Sequence, residues 1–332
     1  MFGQEPPSSD PRVSVTPAID PQRNLLNSVC AVVVHHRRFP DVLQTVKAVI
    51  SAGVRAESVV VVDNSEDKGI RSALNRTSEG WHVHSMRNRG YGAAVNRGVS
   101  VTSGSKVVLV LTHEALIDAA SLHTMVAALG EDPRIAAVGP GRLTTSAGRI
   151  WSEGGELTRL LRLPRHILDG PSSAAAVRDV DWLDGACVAY RIEALESQPF
   201  REDFFLYFEE TELHCRLRAN GWRVVTALQA SAHQHSAGMP AYWASRNVVL
   251  FQGAHGTALS RILAPPYFLL RAMAIAAKGR EWDNVAAGVR GLLAGYAALR
   301  RTKQPVEPGA ERVAGYSPGW EERPTAARDT AT

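Results

Sequence analysis

Cysteine is scarce: the 332 residues hold three, Cys30, Cys187 and Cys215, far apart and without a Cys-x-x-Cys spacing. An odd, dispersed set excludes a disulfide framework and a zinc knuckle, and predicts reduced thiols in a cytoplasmic protein. Long hydrophobic runs are missing too. The longest apolar stretch, Ile262 to Ala277, is broken by Pro265, Pro266 and Arg271, short of the ~20 apolar residues that a bilayer crossing needs. Met1 to Pro21 is rich in Pro, Ser and Asp and lacks the apolar centre of a secretory signal. Neither sign of charge dominates. With 37 basic and 33 acidic residues the net charge is +4, too mild and too dispersed to indicate nucleic acid. It suits an anionic small substrate or an anionic membrane surface. Two nucleotide signatures are also absent: no Gly-x-Gly-x-x-Gly follows the first strand, and no Gly-Lys-Ser/Thr occurs.

What is present describes an ordinary globular chain, 45% hydrophobic and 21% charged, with no internal repeat and room for one large domain or two small ones. Residues 1–27 have the composition of a flexible leader and 303–332 that of a flexible tail. Between them, Val29 to Val34, Ser58 to Val62, Trp81 to Ser85 and Lys106 to Leu111 are continuous apolar runs separated by helical patterns. Such runs predict an α/β fold with a mostly parallel central sheet covered on both faces. Ile135 to Val138 and Trp182 to Tyr190 read as further strands, and Leu160 to Ala176 as a loop excursion. A helix is marked from Glu209 to Asn220 with Gly221 as its stop. Tyr242 to Gly253 and Arg261 to Arg301 read as C-terminal helices, the last amphipathic and basic, a pattern suited to a membrane surface.

Open parallel sheets bind ligands beyond the carboxyl ends of their strands, and two runs deliver an acid there, Asp63 and Glu114. Asp63 precedes Asn64 and Ser65, and its carboxylate is placed to accept from a nucleobase N–H or a ribose hydroxyl; the plainer alternative for either acid is a turn former or helix cap. Asn88 to Gly98, with Gly90, Gly92 and Asn96, opens a helix whose free N–H groups suit a phosphate or ribose, close packing being the alternative. Phe204 to Phe208 is an aromatic cluster before Glu209 and Glu210, where a helix N-terminus favours ionised carboxylates suited to a general base or a metal ligand. Glu212 pairs with Arg216 at i,i+4 spacing. Of His233 and His235, one is expected to serve the site; the remaining histidines are read as structural.

Taken in order, these segments resemble the family 2 glycosyltransferases, in particular the bacterial rhamnosyltransferase-like branch. The resemblance is carried by Val62-Asp63-Asn64-Ser65, Asn88 to Gly98, Trp182-Leu183-Asp184-Gly185-Ala186, Tyr207-Phe208-Glu209-Glu210-Thr211-Glu212-Leu213-His214-Cys215-Arg216, His233 and Arg246-Asn247. It runs from about Val29 to Phe251. It implies a GT-A fold spanning 28–254, followed by amphipathic helices over 255–302, and inverting transfer from a UDP- or dTDP-sugar with Mg2+ or Mn2+ on the diphosphate. By position, Asp63 holds the base, Glu114 is the metal-binding acid assisted by His233, and Glu210 deprotonates the acceptor hydroxyl with Glu209 beside it. Trp182, Asp184 and Arg246 fall to the acceptor or diphosphate. The acceptor is a carbohydrate, a lipid-linked or a small molecule, and peripheral association with the inner membrane face is compatible.

Three departures stand out. Thr112-His113-Glu114 replaces Asn-Pro-Asp, Glu209-Glu210 replaces Glu-Asp, and His35-His36 replaces a Tyr-Asn or Thr-Asn pair. The first two leave a non-catalytic sugar-nucleotide or carbohydrate binder as the competing reading. A sugar-1-phosphate nucleotidyltransferase is disfavoured, since His35 to Pro40 contains no glycine.

Overall fold

A valine-rich strand without a polar face needs cover above and below. The structure, a computed structural model, describes residues 25–302 apart from 103, 171–174, 236–238 and 280–281, and supplies that cover. The expected tail lies outside the described residues, as does the leader up to residue 24. Leu25 and Leu26 pack against the core.

Strands β1 (Val29–His35), β2 (Val59–Asp63), β3 (His82–Ser85) and β4 (Val107–Thr112) run parallel in the order β3-β2-β1-β4. Their side chains alternate between two cores. Val29, Ala31 and Val33 meet α1 (Phe39–Ser51), α2 (Lys68–Thr77) and α4 (Ala119–Glu131). Cys30, Val32 and Val34 meet α3 (Tyr91–Val99), α5 (Ile192–Ser197) and α6 (Glu209–Ala219). The approach of α3 is close: a Cβ on Gly98 would lie 2.3 Å from Val32 Cγ1. Packing at that distance requires glycine.

Beyond β4 the sheet becomes mixed. Strand β11 (Cys187–Arg191) pairs antiparallel with β4 and with β6 (Ile135–Thr145). Then come β12 (Arg223–Gln234), parallel to β6, and β10 (Val177–Asp179), antiparallel to β12. Two short strands pair antiparallel at the margin, β5 (Leu116–Ile117) with β12 and β7 (Ile150–Ser152) with β6. The excursion contains part of a hairpin, β8 (Gly155–Leu157) with β9 (Pro164–His166). The expected α/β sheet flanked by helices is therefore present, parallel through its N-terminal half. Strand β11 starts five residues later than the apolar run from Trp182 suggests, because Trp182 leaves the sheet to pack over Gly155, where a Cβ would meet the indole at 2.0 Å.

Three C-terminal helices follow, α7 (Ala241–His255), α8 (Ala258–Gly279) and α9 (Trp282–Thr302). Cβ atoms on Gly291 and Gly295 of α9 would lie 2.2 Å from Tyr242 O and 2.5 Å from Arg246 O of α7. A third apolar cluster, including Phe204, Phe208, Val248 and Phe251, joins α7 to the segment that precedes α6. Among the described residues, no helix is long and apolar enough to cross a membrane.

Candidate active site

Parallel register brings the ends of β1, β2 and β4 to one edge, with His35 opposite Asp63 and Val34 opposite Thr112. Neither acid at that edge is a helix cap: Asp67 caps α2 and Asp118 caps α4, each accepting the backbone N–H of the third residue of its helix. Asp63 is enclosed. Its Oδ1 lies 3.0 Å from His35 Nδ1 and accepts the Ser65 N–H, while Oδ2 accepts from Ser85 Oγ at 3.3 Å. Burial alone would raise this carboxyl, but the hydrogen bonds from His35 and Ser65 outweigh it and hold it below the usual carboxylate range. Asn64 Nδ2 donates to Gly90 O at 3.2 Å, tying the end of β2 to the glycine-rich segment.

That segment braces a strained loop. Phe205, Tyr207 and Phe208 have φ of 66°, 70° and 71°, a region that costs a bulky residue about 1–3 kcal/mol and persists only when its surroundings enforce it. On one side Tyr91 N–H donates to Phe205 O at 2.8 Å. Gly90, at φ +97°, leaves room for the same oxygen, which a Cβ would meet at 2.1 Å. On the other side the Asn247 amide, fully buried, donates to the carbonyls of Phe204, Leu206 and Tyr207 at 2.7–2.9 Å. Arg246 Nη1 holds Asn247 Oδ1 at 2.6 Å, and burial lowers the arginine pKa. Phe205 stacks on Trp243 with centroids 4.6 Å apart.

The other residues expected at the site are hydrogen-bonded or packed within the fold. Asn88 Oδ1 accepts the Gly90 N–H at 3.0 Å. Asn96 clasps both the N–H and the carbonyl of Phe200, and Gly92 lets the Phe200 side chain come within 3.1 Å of where its Cβ would stand. Trp182 donates to Glu156 O at 3.3 Å and lies against His166, itself beside Trp151. The Trp151 indole N–H donates to Asp184 Oδ2 at 2.8 Å. Glu212 forms the expected pair with Arg216 and also meets His255.

Four acids converge around Tyr207, whose hydroxyl is pushed up to about 12 by burial and by the charges of Glu209, Glu210, Glu114 and Asp184. Glu210 is raised well above the normal carboxylate range by desolvation, then by Glu209 and Asp184; desolvation lifts Glu209 to about 7. This differs from the ionised state that the helix N-terminus suggested. A helix end contributes about 0.3–1 kcal/mol, up to ~2 in the best cases; withdrawing a carboxylate from water costs several. Burial wins, and the two glutamates titrate as a pair.

Glu114 has two further companions. Asp41, His113 and Glu114 each offer a ligand atom within 4.8 Å of the others. His113 Nε2 is buried without a partner, and burial holds the imidazole neutral with a pKa of about 3. A neutral imidazole with two carboxylates is a donor set that fits a divalent cation. The guanidinium of Arg38 reaches the same acids, 3.4 Å from Glu114 and 3.6 Å from Asp41. Burial raises the Glu114 pKa against the pull of Arg38 and His235. Of the two histidines, His235 is the one whose charge bears on Glu114, while His233 Nδ1 lies 2.6 Å from Thr144 Oγ1. Sequence reasoning passed over Asp41, His113 and Asn247. The available signals were Pro40-Asp41 opening a helix at the ligand edge, the middle residue of Thr-His-Glu, and the second residue of Arg-Asn.

The Glycosyl transferase family 2 model matches residues 30–180. The chain is similar to the N-acetylglucosaminyl-diphospho-decaprenol L-rhamnosyltransferase of Mycobacterium tuberculosis, at 25% identity over 55% of this chain and 68% of that protein. GalNAc-T7, solved with UDP, GalNAc and Mn2+, superposes at TM-score 0.54 and 14% identity, covering 73% of this chain and only 54% of that one. TarS of S. aureus superposes at TM-score 0.51 and 15% identity, covering 82% and 81%. At these identities the structural likeness shows the fold: GT-A.

The Glu209 environment has a pH signature. Its folded pKa lies above its unfolded one, so the stability it confers is complete below about 4.5 and is lost as pH rises through about 7. Glu209→Gln removes that loss. Relative to wild type, the variant should gain more stability at pH 8 than at pH 5 in urea unfolding; equal shifts at both pH values would mean that Glu209 is solvated in the folded protein.

Proposed function

We propose that this glycosyltransferase, whose residues 30–180 match the family 2 model, inverts a sugar donor's anomeric centre with Glu210 as general base. The donor is a UDP- or dTDP-sugar. The acceptor is a hydroxyl on a lipid-linked saccharide, in line with the decaprenyl-diphosphate substrate in the mycobacterial relative's name. One observation carries this reading: Glu210 stands half-buried beside Glu209 and Asp184, at a loop held in place from both sides, with its pKa raised. A raised pKa makes the carboxylate the stronger proton acceptor once it is ionised.

The reaction balances as a single displacement. The acceptor oxygen bonds to the anomeric carbon from one face, and the bond from that carbon to the diphosphate oxygen breaks on the other. The hydroxyl proton moves to a Glu210 carboxylate oxygen. Glu209 and Asp184 raise the proton affinity of Glu210, and the aromatic wall of Tyr207 and Phe208 keeps bulk water from competing as acceptor. Asp41, His113 and Glu114 are the residues that would hold a divalent cation, which when bound offsets negative charge on the leaving diphosphate. Arg38, already paired with two of these acids, is the alternative source of positive charge.

Glu210→Gln should lower turnover by roughly 10²–10⁴-fold with donor affinity near wild type. Wild-type turnover should fall as pH drops below the raised pKa, because protonation removes the base. A variant within a few-fold of wild type removes Glu210 from the chemistry. A chain that binds donor but neither hydrolyses nor transfers it is the non-catalytic binder. For the cation, chelation with EDTA should abolish turnover, restorable by Mn2+ or Mg2+, and Glu114→Gln should raise the metal concentration needed. Turnover indifferent to EDTA assigns the diphosphate charge to Arg38 instead.

A further inference from the structure

Ten of the fourteen large apolar side chains left exposed among the described residues lie on α8 and α9. On α8, Leu259, Ile262, Leu263, Tyr267, Leu270 and Met273 recur at three- and four-residue steps, with Ile262 70% and Leu270 63% exposed. On α9, Trp282, Val289, Leu293 and Tyr296 do the same, Leu293 at 66%. These stripes face away from the protein. Ala264 and Phe268 of α8 pack inward, and Gly291 and Gly295 of α9 lie against α7. A surface helix ordinarily turns its polar side outward; both of these turn apolar residues to solvent. Arg271, Arg290, Arg300 and Arg301 are exposed on the same two helices, and Asp283 is the single acid on their described parts.

We propose that α8 and α9 form a platform that docks on an anionic bilayer, the apolar stripes entering the acyl boundary and the arginines meeting lipid phosphates. Charge decides the occupant. A second copy of the chain would set arginine against arginine, which opposes self-association, while each arginine near an anionic leaflet favours binding. Tyr267, Trp282 and Tyr296 are side chains that settle at the headgroup level, and neither helix is apolar enough to cross. The platform also connects to the site. Helix α9 rests on the α7 backbone at Tyr242 and Arg246, and Arg246-Asn247 hold the loop that leads into Glu210. A docked protein would thus carry its catalytic loop one helix away from the membrane face. Delivery of a lipid-borne acceptor to that loop rests on the transferase reading; docking itself does not.

Flotation of the full chain with phosphatidylglycerol–phosphatidylcholine vesicles tests the proposal. The chain should float with these and remain behind with pure phosphatidylcholine, and binding should weaken as salt rises. The triple variant Ile262→Ser, Leu270→Ser, Leu293→Ser and the double variant Arg271→Glu, Arg290→Glu should each lower vesicle partitioning at least about tenfold. All five positions are exposed, so circular dichroism should match wild type. Donor hydrolysis needs no lipid and should stay at the wild-type level, so failure of docking and failure of the transferase reading are read separately. Absence of flotation with the anionic vesicles overturns the proposal, as does undiminished binding by the triple variant. A dimer that the triple variant renders monomeric, without vesicle binding, gives the face to a second copy instead.

Discussion

The structure turns on one strained turn. Phe205 to Phe208 reverses the chain through left-handed conformations that bulky residues avoid, and its exit is the first residue of the helix bearing Glu209 and Glu210. A turn of this kind does not hold itself. Gly90 and Tyr91 seize one carbonyl and the Asn247 amide reaches three others. These clamps come from segments far apart in the sequence, so the loop's shape depends on the sheet, α3 and the C-terminal helices together. The reward is position: two glutamates leave the loop at a fixed angle, beside Asp184 and within electrostatic reach of Tyr207.

Concentrating Glu114, Asp184, Glu209 and Glu210 in one place creates a charge problem, and the protein resolves it in two ways. Where the site is closed in, at buried Glu209 and half-buried Glu210, the carboxyls hold protons more tightly. Where the site opens, at Glu114 and Asp41, Arg38 lies across both acids. The division separates a region suited to moving a proton from one suited to receiving a cation or a diphosphate, and an inverting displacement needs these two on opposite faces of the sugar.

Much of this was legible in the sequence, for identifiable reasons. Valine-only runs revealed the parallel half of the sheet, since strands buried on both sides have no polar alternation. The order of motifs pointed to the GT-A fold. The antiparallel β11 was located less well, because its apolar run includes Trp182, which leaves the sheet for Gly155. The glycine-rich segment reads as a ligand cradle, and absent side chains make the same room for a phosphate as for a neighbouring carbonyl; in the fold, Gly90 gives that room to the Phe205 carbonyl. Glutamate protonation was less legible for a similar reason. The helix N-terminus is visible in sequence, whereas burial by Tyr91, Tyr190 and the loop is a tertiary property. Asn247 left no signal of its own beyond following Arg246.

If the clamped turn positions the proposed base, loosening it must impair chemistry without disturbing donor recognition. Asn247→Ala frees three carbonyls while leaving Glu210 in the chain, so turnover and donor affinity of that variant, measured side by side by steady-state kinetics and calorimetry, test the account most directly. It predicts a fall in turnover of at least about tenfold, since small displacements of a catalytic group cost that much or more, with donor affinity within a few-fold of wild type. Turnover unchanged in Asn247→Ala would contradict it, showing that the loop keeps its shape unaided and that the strained turn is incidental to catalysis.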